Sequence, residues 1–109
     1  MSLWTLQKPW QFRQVYRDGE KIDCKYAILF YYRTGDSTDG PFFGFVASKR
    51  IGNAVKRNRA KRLLRQVAAD MLPRVKHRDL WIVLVARSGI TELKTKQLAD
   101  EIVERLENQ

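Results

Sequence analysis

Apolar and polar positions divide this chain into segments with distinct periods. After Pro9, which suits the first turn of a helix, Phe12, Val15 and Tyr16 recur at helical spacing, and Asp18-Gly19 closes the segment near Arg17. From spacing alone, Phe12 and Tyr16 fit core packing better than exposure. Ile22 to Arg33 is rich in Tyr, Phe and Ile and reads as extended, with Tyr26, Ile28, Phe30 and Tyr32 on one face and Ala27, Leu29 and Tyr31 on the other. Both faces are apolar, so both are partly covered or one is a binding surface. Thr34 to Pro41 carries turn residues, and Phe42 to Ser48 reads as a second strand interrupted by Gly44; a hairpin is the simplest link between the two. Gly52 then breaks the chain, Asn53 caps a helix, and nothing opposes that helix from Ala54 until Pro73. Asp79 to Arg87 is a near-continuous apolar run, the pattern of a strand buried on both faces. A last helix runs from about Thr95 to Glu107, with Leu98, Ala99, Ile102, Val103 and Leu106 as its stripe.

Helix, strands, helix, strand, helix is the order of an α+β domain with helices against a mostly antiparallel sheet. A strand–helix–strand crossover joins the Phe42 strand to the last strand. The 109 residues suffice for one domain with a modest core, and residues 1–7 read as a loose arm.

Charge changes the picture at the central helix. Between Lys49 and Arg65 lie Lys49, Arg50, Lys56, Arg57, Arg59, Lys61, Arg62 and Arg65, and no Asp or Glu occurs between Asp39 and Asp70. At roughly 100° per residue, Ala60, Leu63, Leu64, Val67, Ala68 and Met71 share one arc, and Asn58, Arg59, Lys61, Arg62 and Arg65 share the other. Neighbouring like charges destabilise a helix, and an anionic partner removes that cost. A solvated helix face usually mixes signs; this one does not. The net charge of +9 also favours a polyanion. Acid gathers instead on the last helix, at Asp100, Glu101, Glu104 and Glu107.

Other chemistry is sparse. The longest apolar runs, Tyr26 to Tyr32 and Leu80 to Ala86, are too short to span a bilayer. Residues at the N-terminus lack the pattern of a secretion signal, and Cys24 is alone, so no intrachain disulfide forms. These features are those expected of a cytoplasmic protein without a membrane partner. The one histidine, His77, sits between Lys76 and Arg78 and reads as a solvated loop residue. No pair of carboxylates, phosphate loop, nucleophile elbow or metal spacing supports catalysis or metal binding by side chains. Duplex DNA is readable by a basic helix, but that helix normally belongs to a small helical unit. Aromatics beside a sheet suit unpaired bases, for which Phe12, Tyr16 and Phe30 are candidates. A structural RNA-binding protein of ribosomal type shares these features, and a DNA-binding regulator is a further alternative.

The run Ala47-Ser48-Lys49-Arg50-Ile51-Gly52-Asn53-Ala54-Val55-Lys56-Arg57-Asn58-Arg59-Ala60-Lys61-Arg62-Leu63-Leu64-Arg65 closely resembles the signature of the bacterial ribonuclease P protein subunit. Phe12-Arg13-Gln14-Val15-Tyr16-Arg17-Asp18-Gly19 is similar to that family's first helix, and Asp79 to Arg87 to its last strand. The resemblance implies the order α-β-β-β-α-β-α, a four-stranded sheet, and a left-handed βαβ crossover around the basic helix, as in the second domain of ribosomal protein S5. It implies an accessory subunit of an endoribonuclease ribonucleoprotein, whose RNA, with Mg²⁺ held mainly by that RNA, removes the 5′ leader of precursor tRNA. By motif position it assigns Lys56, Arg57, Asn58, Arg59, Lys61, Arg62 and Arg65 to contact with ribonuclease P RNA. Phe12, Tyr16 and Phe30 go to the leader cleft, with Lys49 and Arg50 near its end. This moves Phe12 and Tyr16 from core toward a partly exposed stacking platform. Ala60 stands where the family usually has Ile or Leu, which touches core packing and not RNA contact. Thr5 stands where Arg is frequent, Trp4 and Trp10 are additions, and Tyr16 replaces Phe but keeps a ring.

Overall fold

A computed structural model of the chain describes residues 4–35, 40–90 and 95–108. The elements are β1 (Trp4–Thr5), α1 (Pro9–Asp18), β2 (Glu20–Asp23), β3 (Ala27–Arg33), β4 (Phe42–Val46), α2 (Ala54–Met71), β5 (Leu80–Ala86) and α3 (Thr95–Glu107). Short 3₁₀ turns at Lys49–Ile51 and Leu72–Arg74 flank α2. The order is the expected α+β one, with a two-residue strand added at the edge.

The sheet runs β1-β4-β5-β3-β2 and is mixed: β2, β3 and β5 pair antiparallel, while β4 lies parallel to β5 and to β1. Two expectations need correction here. Ile22 to Arg33 is not one strand, because the chain turns at Cys24–Tyr26 and Cys24 N–H donates to Ala27 C=O at 2.9 Å. Nor do β3 and β4 form a hairpin. The apolar strand β5 inserts between them, where both of its edges and both of its faces are covered. The expected loose arm is also corrected for residues 4–6. Trp4 and Thr5 pair with β4, Leu6 N–H donates to Phe43 C=O at 2.8 Å, and the Leu6 side chain is buried. Residues 1–3 of that arm, and 36–39 of the expected loop, lie outside the described residues.

Two cores sit on opposite faces of the sheet. One face carries Ala27, Leu29, Phe43, Ile82 and Leu84 against Ala60, Leu64, Val67, Ala68 and Met71 of α2 and Leu98, Ala99, Ile102 and Val103 of α3. Ala60 is fully buried, so the small residue stands at a close approach of α2 to the core. The other face is smaller: Leu6, Val15 and Val83, with Phe12, Phe30, Tyr32, Phe42, Val46, Trp81 and Val85 half-buried around them.

The β4–α2–β5 crossover is left-handed, and hydrogen bonds fix this. Asp79 C=O and Arg87 N–H bond to Thr34 and Tyr26 beside β3, both at 3.0 Å, so the even-numbered residues between them turn their backbone groups to β4. Those same residues, Leu80, Ile82, Leu84 and Ala86, send their side chains to the α2–α3 layer. For L-residues, this places β4 to the right of β5 when both strands point up and α2 lies toward the viewer. The chain therefore moves left as it crosses, against the strong right-handed preference.

Candidate nucleic-acid interface

The start of α2 is built from small polar caps. Ser48 Oγ accepts from Arg50 N–H at 3.3 Å, and Asn53 Oδ1 accepts from Lys56 N–H at 3.0 Å. Between them Gly52 adopts φ 138°, a conformation side chains rarely take, so glycine is required at this bend. The cap releases an 18-residue helix with its apolar arc inward. Asn58, Arg59, Arg62 and Arg65 are exposed on the opposite arc, with Lys56 exposed at one flank and Lys61 half-buried at the other. Among the described residues, none of the eight cations from Lys49 to Arg65 has an ion-pair partner. Two of the four acids of α3 are engaged elsewhere: Asp100 with Arg74 at 2.7 Å and Glu101 with Arg105 at 3.5 Å.

Two of the arginines are partly committed within the protein. Arg57 is half-buried and donates to Gly52 C=O at 2.8 Å, bracing the turn that starts the helix. The Arg65 guanidinium lies 5.5 Å from the Phe45 ring centre, a cation–π contact that holds the side chain over the sheet edge.

The aromatic candidates meet on the other face of the sheet. Register places three rows side by side across β3, β5 and β4: Tyr32–Trp81–Phe42, Phe30–Val83–Gly44 and Ile28–Val85–Val46. Helix α1 lies over the first two rows. Trp10 packs edge-on to Trp81 at 5.8 Å, Val15 is buried against Val83, and Tyr16 packs edge-on to Phe30 at 5.0 Å. Phe12 is half-buried over Gly44, whereas Tyr16 is 41% exposed. Burial raises the Tyr16 phenol above its usual value, so it stays neutral at physiological pH. The third row is half-buried, and beyond Val46 the chain turns into the exposed Lys49 and Arg50. The result is an apolar shelf walled by Phe12, Tyr16 and Phe30 and ending in two cations. Ile28, Val46 and Val85 form its floor. They were not singled out in the sequence, although the alternation that assigns Phe30 to one face assigns Ile28 with it.

The fold thus brings the two predicted residue sets to two surfaces, the cationic arc of α2 and the shelf beside α1, on opposite sides of the sheet. Their chemistry is that of binding. Among the described residues, no three His, Cys, Asp or Glu side chains converge as a metal site would need. His77 is exposed in the loop before β5. Asp79 is buried and used internally: its Oδ2 accepts from Gly35 N–H at 3.0 Å and from Arg33 Nε at 3.4 Å. Burial pushes its carboxyl up, but the Gly35 N–H, its own N–H and the Arg33 guanidinium outweigh this and hold it below the usual value. Cys24 is buried, and its thiol is pushed up to about 11 by burial, with a hydrogen bond and charge from Glu101 adding to the shift.

A sequence model of the family described as Ribonuclease P matches residues 2–108. The ribonuclease P protein component of Natranaerobius thermophilus is 36% identical over 99 residues, covering 91% of this chain and 84% of that one. That of Syntrophomonas wolfei is 39% identical over 80 residues, covering 73% of this chain and 65% of the relative. Among solved structures, the ribonuclease P protein of Thermotoga maritima superposes with a TM-score of 0.76 at 18% identity, over 96% of each chain.

Proposed function

The chain belongs to the ribonuclease P protein family, and from that premise we propose that it is the RNA-binding subunit of a ribonucleoprotein that removes the 5′ leader of precursor tRNA. The observation that carries this reading is the basic, acid-free outer arc of α2, with Arg59 and Arg62 exposed and unpaired among the described residues. Like charges so placed repel one another in the free protein, and a phosphate backbone relieves that repulsion. Lys56, Arg57, Asn58, Arg59, Lys61, Arg62 and Arg65 form the contact with the catalytic RNA in this proposal.

The shelf beside α1 takes the leader. Its rings offer faces and edges to unpaired bases, the Ile28–Val85–Val46 floor excludes water beneath them, and Lys49 and Arg50 meet a phosphate at the end. Stacking of this kind tolerates many sequences, as a subunit serving many precursor tRNAs requires. The protein moves no proton and breaks no bond. Mg²⁺ is assigned to the RNA, where it supplies the activated nucleophile. The protein neutralises phosphates and holds the leader, so that the scissile bond is presented to the RNA.

The test is reconstitution. Added to ribonuclease P RNA and precursor tRNA at low Mg²⁺, the protein is expected to raise the rate of leader removal. No gain in cleavage overturns the proposal in favour of a structural RNA-binding role. Cleavage by the protein without the RNA overturns the division of labour.

A further inference from the structure

Val55 is an anomaly on the basic helix. It lies on the cationic arc, one turn from Arg59, and is 76% exposed, the most exposed large apolar side chain among the described residues. It borders a cavity of about 460 Å³ lined by Ile51, Val55, Lys56, Arg59 and the Ser88–Ile90 turn. That volume lies within the 300–1,000 Å³ typical of small-molecule sites.

Two tight turns adjoin the cavity. Gly89, in its lining, and Gly52, next to the lining residue Ile51, both take positive φ, 88° and 138°. Ile90, 1% exposed, and the half-buried Ile51 give it a firm apolar wall. Val55 forms the outer lip. Lys56 and Arg59 stand on the rim, and no described lining residue is acidic. Ser88 brings a hydroxyl, and the turn brings backbone groups, to the polar side.

The geometry points to a pocket for one unstacked nucleotide of the partner RNA: the base enters between Val55 and the Ile51–Ile90 wall, and its flanking phosphates meet Lys56 and Arg59. This inference rests on the reading that α2 binds the catalytic RNA, and it adds a contact that is not ionic. An apolar wall beside two cations suits a base with its flanking phosphates better than a phosphate alone, because a phosphate gains nothing from Val55 or Ile90. A basic peptide is disfavoured because no described lining carboxylate would pair its basic groups, while Lys56 and Arg59 repel them.

The experiment compares three variants in binding to ribonuclease P RNA over a range of salt. Val55→Ala removes the lip, and Ser88→Trp fills the cavity from an exposed turn. Both are expected to weaken binding on the order of tenfold, without changing the slope of log affinity against log salt. Arg59→Ala is expected to weaken binding and flatten that slope. If Arg59→Ala behaves so while Val55→Ala and Ser88→Trp bind as the parent does, the nucleotide pocket is overturned and the RNA face stands. If none of the three changes affinity, the RNA face itself is overturned. Circular dichroism melts identify any variant that has lost its fold, and Val55→Thr then serves as the milder change at the lip, with the same expected direction.

Discussion

The ring of Phe12 occupies the space above Gly44 that a side chain would fill: a Cβ at residue 44 would lie 2.7 Å from Phe12 Cζ and nearer still to Cε1. A glycine inside a strand ordinarily weakens it. Here the missing side chain lets α1 settle on the sheet and sets the depth of the shelf. Gly44→Ala is expected to push Phe12 outward and lower stability by about 1–3 kcal/mol, the usual cost of overpacking. Urea denaturation measures this. Phe12→Leu keeps bulk over Gly44 but removes the aromatic face. It is expected to leave stability nearly unchanged and to weaken binding of leader-bearing precursor tRNA by about 1–3 kcal/mol. Mature tRNA is expected to bind as before, and an equal loss on both ligands would count against the leader shelf.

Arg59 and Arg62 are three residues apart on the exposed arc of α2, without carboxylate partners among the described residues. Replacing both with Ala should not destabilise the free protein, because it relieves like-charge repulsion. Binding to the catalytic RNA should weaken, and its salt slope should fall by roughly 0.7 to 0.9 for each phosphate that is no longer neutralised. Filter binding at several salt concentrations reads both quantities. An unchanged slope would remove this arc from the interface.

Asp79 ties the start of β5 to the end of β3. Its carboxyl is held below the usual value in the folded chain, so its stabilising effect is present above the unfolded value of about 3.9 and is lost as pH falls through the folded one. Asp79→Asn is therefore expected to cost about 1–2 kcal/mol at neutral pH, since it weakens charge-assisted bonds to Gly35 and Arg33. The difference from the parent should shrink below about pH 4. Thermal melts at pH 7 and pH 3.5 test the sign.

Cys24 is buried, and its thiol is raised to about 11, so the thiolate is scarce at neutral pH. Alkylation by iodoacetamide at pH 8 is expected to be at least about tenfold slower than for a free cysteine peptide, and to become fast in urea. Fast labelling of the folded chain would contradict the buried placement.

Elements with a clean period were legible before any coordinates. The apolar stripe of α3, the near-continuous run of β5 and the two arcs of α2 each reflect a local rule, and the structure places them as read. The β3–β4 hairpin misled because sequence proximity is only a tendency; the two-face apolar run of β5 was the stronger signal that it would take the centre. The anchoring of residues 4–6 could not be read because it depends on the edge of β4, a partner known only after folding. In the site, Asn58, Arg59, Arg62 and Arg65 lie exposed as their helical spacing implies, and Lys56 is exposed in the first turn of α2. Arg57 differs: helical phase places it on the apolar arc, between Leu64 and Ala68, and its bond to Gly52 C=O depends on how the preceding turn folds. Phe12 was torn between core and exposure for a physical reason, since it is half of each.

A sheet one residue thick stands between the α2 helix and the Phe12–Tyr16 wall, and the left-handed path of the chain leaves both outer surfaces clear. If each surface holds RNA, the protein acts as a calliper: the width of a β-sheet with its two helix layers fixes how far the leader lies from the folded RNA. Such a gauge is insensitive to loop sequence, and only a change in the packing layers would reset it.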